Sequence, residues 1–336
     1  MKNKSVRTIA DIAEIAGVSK STVSRALNDS PLVSAKTKDR VQAIASEHGF
    51  ELNAQARRLS TRRSRTIAFV THAHHGCFSW VDLFDFELLG GITQGLSERG
   101  YDLLVVHVGP KDRSWARTYL ETGRVDGFVL MTSSSKQTHV QHLLEIEAPF
   151  IGWGFPLPGQ SYCSVICDDR AGGRIATEHM LRDGRHRIAF VGGWPGETEV
   201  KRRYEGYVDA LGAAGQDVDP KIVGYGNYKD TVAADVIGQM LDKTPDLDGV
   251  FVNSDIMAIA VMDVIRERGK RVPEDIAVIG YDDLSIAAFA NPPLTTVRQN
   301  VPEAGRLLAK NLIEFLETGL ITNVMLPVEL IVRSSA

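Results

Sequence analysis

Residues 8–28 read TIADIAEIAGVSKSTVSRALN. Apolar residues recur there at helical spacing in two short runs, first Ile9, Ile12, Ala13 and Ala16, then Val23, Ala26 and Leu27, so each run predicts one amphipathic helix. Gly17-Val18-Ser19 divides them. Gly17 suits the left-handed residue just past a helix C-terminus, and Ser19 is a good N-cap whose hydroxyl accepts from a free amide of the next helix. The pattern is that of a helix-turn-helix. Lys20, Ser21, Thr22, Ser24 and Arg25 stand on the second helix, short donors and long cations of the kind that reach base edges and phosphates in a major groove. An ordinary amphipathic hairpin shares the periodicity, and charge separates the two readings.

Residues 1–65 carry 13 Lys and Arg against 6 Asp and Glu, a net of +7, whereas the whole chain is −4, which leaves −11 for residues 66–336. A cationic head on an acidic body fits a polyanion-binding module joined to a separate domain, because neutralising phosphates releases counterions. With 336 residues and 43% hydrophobic content the chain can bury a large core. No apolar run approaches the roughly 20 residues that span a bilayer, and the N-terminus has no apolar signal core, so no membrane partner is expected. Cys77, Cys163 and Cys167 are odd in number and spaced for neither a disulfide framework nor a four-cysteine zinc site, as in a reduced cytoplasmic protein.

A third helix is expected from Ser34, with Val41, Ile44 and Ala45 inward and Gly49 ending it. The following ELNAQARRLSTRRSR is basic, lacks Pro and Gly, and is too polar for that core, yet it could form a helix with Ala54, Ala56 and Leu59 on one side. The order of GVSKSTVSRALN, a third helix and N-A-x-A-R-x-L resembles the DNA-binding head of the LacI/GalR family of bacterial transcription regulators. The resemblance implies that Lys20 and Ser21 read operator bases, that Arg25 assists further along the helix, and that Thr22, Ser24 and Asn28 position phosphates. It also implies a hinge helix with Asn53 first, Ala56 inside it and Leu59 as the apolar wedge that enters a minor groove and bends the duplex. Where the family commonly has Pro before that Asn, this chain has Leu52.

From Arg65 onward short apolar runs alternate with helical stretches: TIAFVTH, YDLLVVHV, VDGFVLM, APFIGWG, HRIAFVGG, IVGYG, LDGVFVN and EDIAVIGYDD. Runs of this type predict buried parallel strands of an open α/β sheet. The resemblance extends here through DDRAGGRIATEHMLRDGRHRIAFVGG, RRYEGYVDAL, VNSDIMAIAVMDVIRERGKRVPEDIAVIGYDD and PPLTTVRQN. It implies an all-α helix-turn-helix head (1–50), a hinge and linker (51–65), and a two-lobed effector domain of the periplasmic-binding-protein type (66–336) with parallel sheets flanked by helices. The first lobe would hold about 66–160 and 299–318, the second about 161–297 and 320–336, with crossings near 160, 298 and 320.

A ligand in such a fold lies between the lobes at the carboxyl ends of the strands. Residues just after strands are therefore candidates: His72, Trp153, Trp194 and Asp255. The resemblance adds Arg203, from the R-x-x-G segment, and Phe84 as an aromatic wall, and it assigns Arg203 and Asp255 to sugar hydroxyls. In the family's N-D-x-M-A segment the usual Asn is here Ser254. Arg and Asp on vicinal hydroxyls with rings against a pyranose form a sensible sugar site, although nucleobases and a protein corepressor serve other members of the family. His72, His74, His75 and Cys77 are metal-capable types, but one segment alone does not complete a site, and neither a metal nor a cofactor is expected. No G-x-S-x-G, HExxH, GxGxxG or GxxxxGK[ST] follows a strand, so an enzyme is not expected.

A single head covers few base pairs, so a homodimer on a roughly palindromic double-stranded operator is expected, with a small effector biasing whether the paired hinges form on DNA. The remaining alternative is a sugar-binding receptor without a DNA role, which the basic head opposes.

Overall fold

The computed structural model describes residues 8–27, 30–50, 63–72, 83–109, 112–132, 137–157 and 159–336. Asn28, Asn53, Ala56, Leu59 and the expected hinge and linker segment 51–65, apart from its last three residues, lie outside the described residues, as do His74, His75 and Cys77. The chain divides into two compact units, residues 1–65 and 66–336.

The head begins with α1 (Ile9–Ala16), whose N-cap Thr8 forms a capping box with Asp11. Gly17 takes the left-handed conformation that ends α1, with φ 60° and ψ 37°. In α2 (Lys20–Leu27) the Ser19 hydroxyl accepts from the Thr22 amide at 3.1 Å, as a Ser at this position should. Ser34 caps α3 (Ala35–Glu47). Ile12, Ala16, Val23, Ala26 and Val41 are fully buried where the three helices meet, a core small enough that every one of its side chains counts.

The body contains two six-stranded sheets. The first has the order β11-β5-β4-β3-β1-β2, formed by β1 (Thr66–His72), β2 (Asp102–Val108), β3 (Gly127–Met131), β4 (Phe150–Trp153), β5 (Cys163–Cys167) and β11 (Asn323–Leu326), all parallel. The second has the order β12-β10-β9-β8-β6-β7, formed by β6 (Ile188–Gly192), β7 (Val223–Tyr225), β8 (Gly249–Val252), β9 (Ala277–Asp282), β10 (Thr295–Arg298) and β12 (Glu329–Ile331), of which only β12 runs antiparallel to its neighbour.

Alternation along β1 sends Ile67 and Phe69 into a core with α4 (Leu83–Ser97) and α11 (Val301–Thr318), and Ala68 and Val70 into one with α5 (Trp115–Glu121) and α6 (Gln137–Glu145). In the second sheet Val191, Val250 and Val278 face α9 (Asp230–Lys243) and α10 (Asp255–Glu267), while Phe190, Phe251 and Ile279 face α7 (Asp169–Arg182) and α8 (Thr198–Ala213). Both faces of each sheet are therefore covered, which is why the central strands read as continuous apolar runs.

Two of the expected lobe boundaries are corrected. The crossing placed near 160 lies after β5, because Cys163, Val165 and Cys167 bury in the first-lobe core beside Ile151 and Trp153, and β5 fills the slot between β4 and β11. The crossing placed near 320 lies between β11 and β12, since residues 323–326 pair with β5 and only Glu329–Ile331 reach the second sheet. The middle crossing falls between Arg298 and Val301, and α11 packs in the first-lobe core.

Helices α7 and α8 cross at glycines. A Cβ on Gly173 would collide with the Arg203 carbonyl, and one on Gly206 with the Arg170 carbonyl. Gly206 thus lets α8 lie close enough to α7 to place Arg203, which explains the spacing of the R-x-x-G segment in packing terms. Gly206→Ala is expected to lower unfolding free energy by about 1–3 kcal/mol or more through overpacking. Gly212→Ala, on the same helix with open space around it, is expected to raise it by about 0.5–1 kcal/mol. Urea unfolding of the two variants checks the contrast.

Candidate functional site

On the head, Val23 and Ala26 anchor α2 in the core, so its opposite face is outward: Lys20, Ser21 and Arg25 are exposed, and Thr22 and Ser24 half-buried. Ser19 is hydrogen-bonded at 2.8 Å to both the Ser21 and Thr22 hydroxyls, which orders the first turn of the helix. Five of the six expected groove-facing residues thus sit on one capped helix.

In the body, segments that follow strands of the two sheets meet. The Ser285 amide, after β9, donates to Glu87 of α4 at 2.9 Å. The Arg202 guanidinium, on the helix after β6, lies 4.6 Å from the Phe155 ring centroid, just after β4. These contacts define a cleft at the carboxyl ends of the strands, with one wall from each lobe.

The first-lobe wall is aromatic. Trp153 ends β4 at 9% exposure, and Phe84 in the first turn of α4 packs against it with ring centroids 6.0 Å apart. His72 ends β1, and its side chain lies outside the described residues. Trp194 is half-buried in the turn after β6, where its carbonyl accepts from the Glu197 amide.

The second-lobe wall is built on charge. Arg203 is 4% exposed; its Nε donates to Asp169 Oδ1 at 2.7 Å, its Nη1 to the Asn253 carbonyl at 2.8 Å, and its guanidinium sits 3.7 Å from the Tyr281 ring centroid. The Tyr281 hydroxyl donates to the same Asp169 oxygen at 3.2 Å. Burial pushes the Asp169 carboxyl up while Arg203 opposes that shift. Arg203 Nη2 makes no hydrogen bond among the described residues.

Asp255 sits deeper. It is fully buried, Oδ1 accepting from the Thr296 hydroxyl at 2.5 Å and Oδ2 from the Leu284 amide at 2.7 Å. Burial, reinforced by Asp282, holds its carboxyl well above the ordinary range. With both oxygens engaged inside the lobe, Asp255 fixes the turn after β9 and the start of α10. Asp282 takes φ 111° and accepts from Gln299 Nε2 at 2.6 Å, and Asp283 at φ 56° binds Arg298 and Arg333, each at 2.6 Å.

Sequence reasoning missed several residues of this wall. Asp169 is the buried counter-ion. Tyr228, with Asn227, holds a left-handed backbone after β7, at φ 53° and 55°, and its ring fills the space beside Gly193 that a Cβ would occupy. Glu197 and Glu199 open α8 beside Arg203. The rule that singled out residues after strands covers Asn227-Tyr228 as well, since they directly follow IVGYG, and backbone strain of this type concentrates at functional sites. Among the described residues no cluster of three or more acidic, His or Cys side chains could hold a metal.

Two measurements follow. Arg203→Ala leaves Asp169 buried without its counter-ion and is expected to cost about 3–5 kcal/mol in urea unfolding, with part recovered when Asp169→Asn is added. Burial and Glu197 raise the Glu199 carboxyl from 4.5 to about 7. The folded state therefore keeps a proton that the unfolded chain releases near 4.5, so the stabilisation is complete below that pH and is lost as pH rises through about 7. The thermal midpoint of the wild type is expected to fall relative to that of Glu199→Gln across this interval.

Comparison with known proteins agrees with both halves of the molecule. Residues 8–53 match the model of bacterial regulatory proteins of the lacI family, and residues 177–336 that of a periplasmic binding protein-like domain. The chain is 35% identical to the HTH-type transcriptional regulator CelR of Thermobifida fusca over 100% of both chains. It is similar to the structure of a CelR–cellobiose complex (TM-score 0.74, 33% identity, 98% of this chain and 99% of that one). It also matches a lac repressor dimer bound to operator and the anti-inducer ONPF (TM-score 0.79, 26% identity, 98% of each chain). The chain belongs to the lacI family of bacterial regulatory proteins, as a DNA-binding transcriptional regulator and not an enzyme.

Proposed function

We propose that the protein is a cytoplasmic repressor that binds double-stranded operator DNA as a homodimer and releases or tightens its grip when a small carbohydrate occupies the cleft. The observation that carries the ligand reading is the pairing of walls: Phe84 and Trp153 on one lobe, and the Asp169–Arg203–Tyr281 cluster with Tyr228 on the other. Aromatic rings suit the apolar face of a pyranose, and Arg203 Nη2 is a donor for a hydroxyl. Asp255 acts as a positioning residue that holds this wall in place. The similarity to the CelR–cellobiose complex supports a carbohydrate over a nucleobase.

For DNA, Lys20 and Ser21 are proposed to read bases, with Arg25 assisting further along the helix and Thr22, Ser24 and Asn28 beside phosphates, while Asn53, Ala56 and Leu59 belong to the hinge. The operator-bound dimer of the lac repressor supports two heads on one site. Coupling between cleft and operator is reciprocal and typically amounts to about 5–150-fold in affinity.

Fluorescence anisotropy with duplexes from the region flanking its own coding sequence is expected to show binding that weakens steeply with salt and is lost in Lys20→Ala. Cellobiose is expected to raise the thermal midpoint of the full chain by mass action and to change duplex affinity within that coupling range. Absence of any salt-dependent DNA affinity would favour a sugar receptor without a DNA role, and a midpoint indifferent to all carbohydrates would remove the effector assignment.

A further inference from the structure

The turn that follows β9 is bent through two consecutive residues, Asp282 and Asp283, that both take left-handed backbone, at φ 111° and 56°. L side chains adopt that conformation only where the surroundings enforce it. Here two cations do so. The Asp283 carboxylate, 6% exposed, accepts from Arg298 Nε and from Arg333 Nη2, each at 2.6 Å. Neither arginine is a loose surface arm. Arg298 closes β10, where it pairs in register with Glu329 and also donates to that carboxylate at 2.8 Å. Arg333 donates to the Leu294 carbonyl at 2.8 Å, and its main-chain amide to the Thr295 hydroxyl at 2.9 Å. Two residues on, the fully buried Ser335 hydroxyl accepts from the Thr295 amide and donates to the Val278 carbonyl.

These bonds join the neck of the molecule to the rim of the cleft. At the neck, Arg298 is the last strand residue before the crossing into α11, and Glu329 is the first after the crossing from β11. Gln299 belongs to the same body, since it is buried and its Nε2 donates to Asp282 at 2.6 Å. Asn300 caps α11 and so moves with the first lobe, and Pro327-Val328 lies between the end of β11 and the start of β12. At the rim, Asp255 fixes the Leu284 amide at 2.7 Å, and the next amide, that of Ser285, reaches across to Glu87 of the first lobe at 2.9 Å. A single exposed hydrogen bond returns little once the entropy of ordering both partners is subtracted. With the turn ordered in advance from the neck, only the Glu87 side chain has to be fixed.

We propose that Asp283, Arg298 and Arg333 are positioning residues that form a clamp at the neck: by fixing the turn they hold the Ser285 amide where Glu87 can accept from it, and so set how firmly the lobes stay closed. Asn300 and Pro327-Val328 are the joints about which the lobes part. The device works whatever molecule fills the cleft, because every group in it belongs to the chain.

The test is hydrogen exchange of the full-length protein without effector, read at the Ser285 amide by mass spectrometry at single-residue resolution. Asp283→Asn removes the charge but keeps a residue type that tolerates left-handed backbone. It is expected to speed exchange at Ser285 at least about tenfold, while the amides of β8 keep wild-type protection. Arg298→Gln is expected to act in the same direction, and Arg298→Lys, which keeps the charge, to recover part of the protection. Should Asp283→Asn fail to fold, Arg298→Gln takes its place in every comparison. Glu87→Ala, on the opposite lobe, is expected to speed exchange at the same amide, and adding Asp283→Asn to it to change the rate by less than about twofold, since the clamp acts through the bridge. The proposal is overturned if both neck variants leave Ser285 exchange within about twofold of the wild type, or if the effects of Glu87→Ala and the neck variant multiply. It is equally overturned if the lost protection spreads to β8, because the cluster would then be holding the whole lobe together instead of positioning one turn.

Discussion

A charge removed from water has to be surrounded by partners, and the arrangement of the second lobe follows from how Arg203 and Asp169 meet that demand. The pair costs desolvation that their mutual attraction alone does not return. The balance is made up by the Asn253 carbonyl, the Tyr281 hydroxyl and the Tyr281 ring, contributed by the ends of β8 and β9. Four segments distant in sequence are thereby fixed around one guanidinium. The close crossing of α7 and α8 at Gly173 and Gly206 supplies the proximity that the ion pair needs, so packing without Cβ atoms and a buried charge are two sides of one constraint.

A second layer of fixed polar groups lies beneath. Asp255 holds the Leu284 amide and the Thr296 hydroxyl, Asp282 holds Gln299, and Asp283 holds Arg298 and Arg333. These bonds run from the turn after β9 to the strand and loop through which the chain leaves the second lobe for α11. A change at the cleft wall therefore has a short, bonded route to the connection between lobes. The left-handed backbone at Asp282 and Asp283 is held by these same side-chain bonds.

Much of the molecule was legible in the sequence wherever the signal is local. The head is specified by neighbours: Thr8 with Asp11, Gly17, Ser19 with Thr22, and apolar spacing of three and four. Strands β1, β3, β4, β6, β8 and β9 are apolar on both faces because helices cover both sides, and they read as such. β5, β11 and β12 did not, and the lobe boundaries slipped with them. β11 and β12 are short and half-exposed, and β5 is placed in the first sheet by pairing with β11, some 160 positions away. The cleft shows the same division. Arg203, Phe84 and Trp153 stand out in the sequence by motif and by position after strands, and the structure places Arg203 on one lobe and the aromatic pair on the other. Asp169 does not stand out, because its role exists only once α7 meets α8, and Asp255 was assigned outward when its oxygens face Thr296 and Leu284.

The two bridges across the cleft, the Ser285 amide on Glu87 and Arg202 on Phe155, bear on how quickly an occupant can come and go. One is a single exposed hydrogen bond and the other a cation over one ring, so parting the lobes along this rim breaks two small contacts. Where entry requires both to break, capture speed levels off at high concentration at the frequency of opening rather than climbing toward the diffusion ceiling. Once inside, a molecule that leaves the bridges closed behind it departs on the timetable of the hinge.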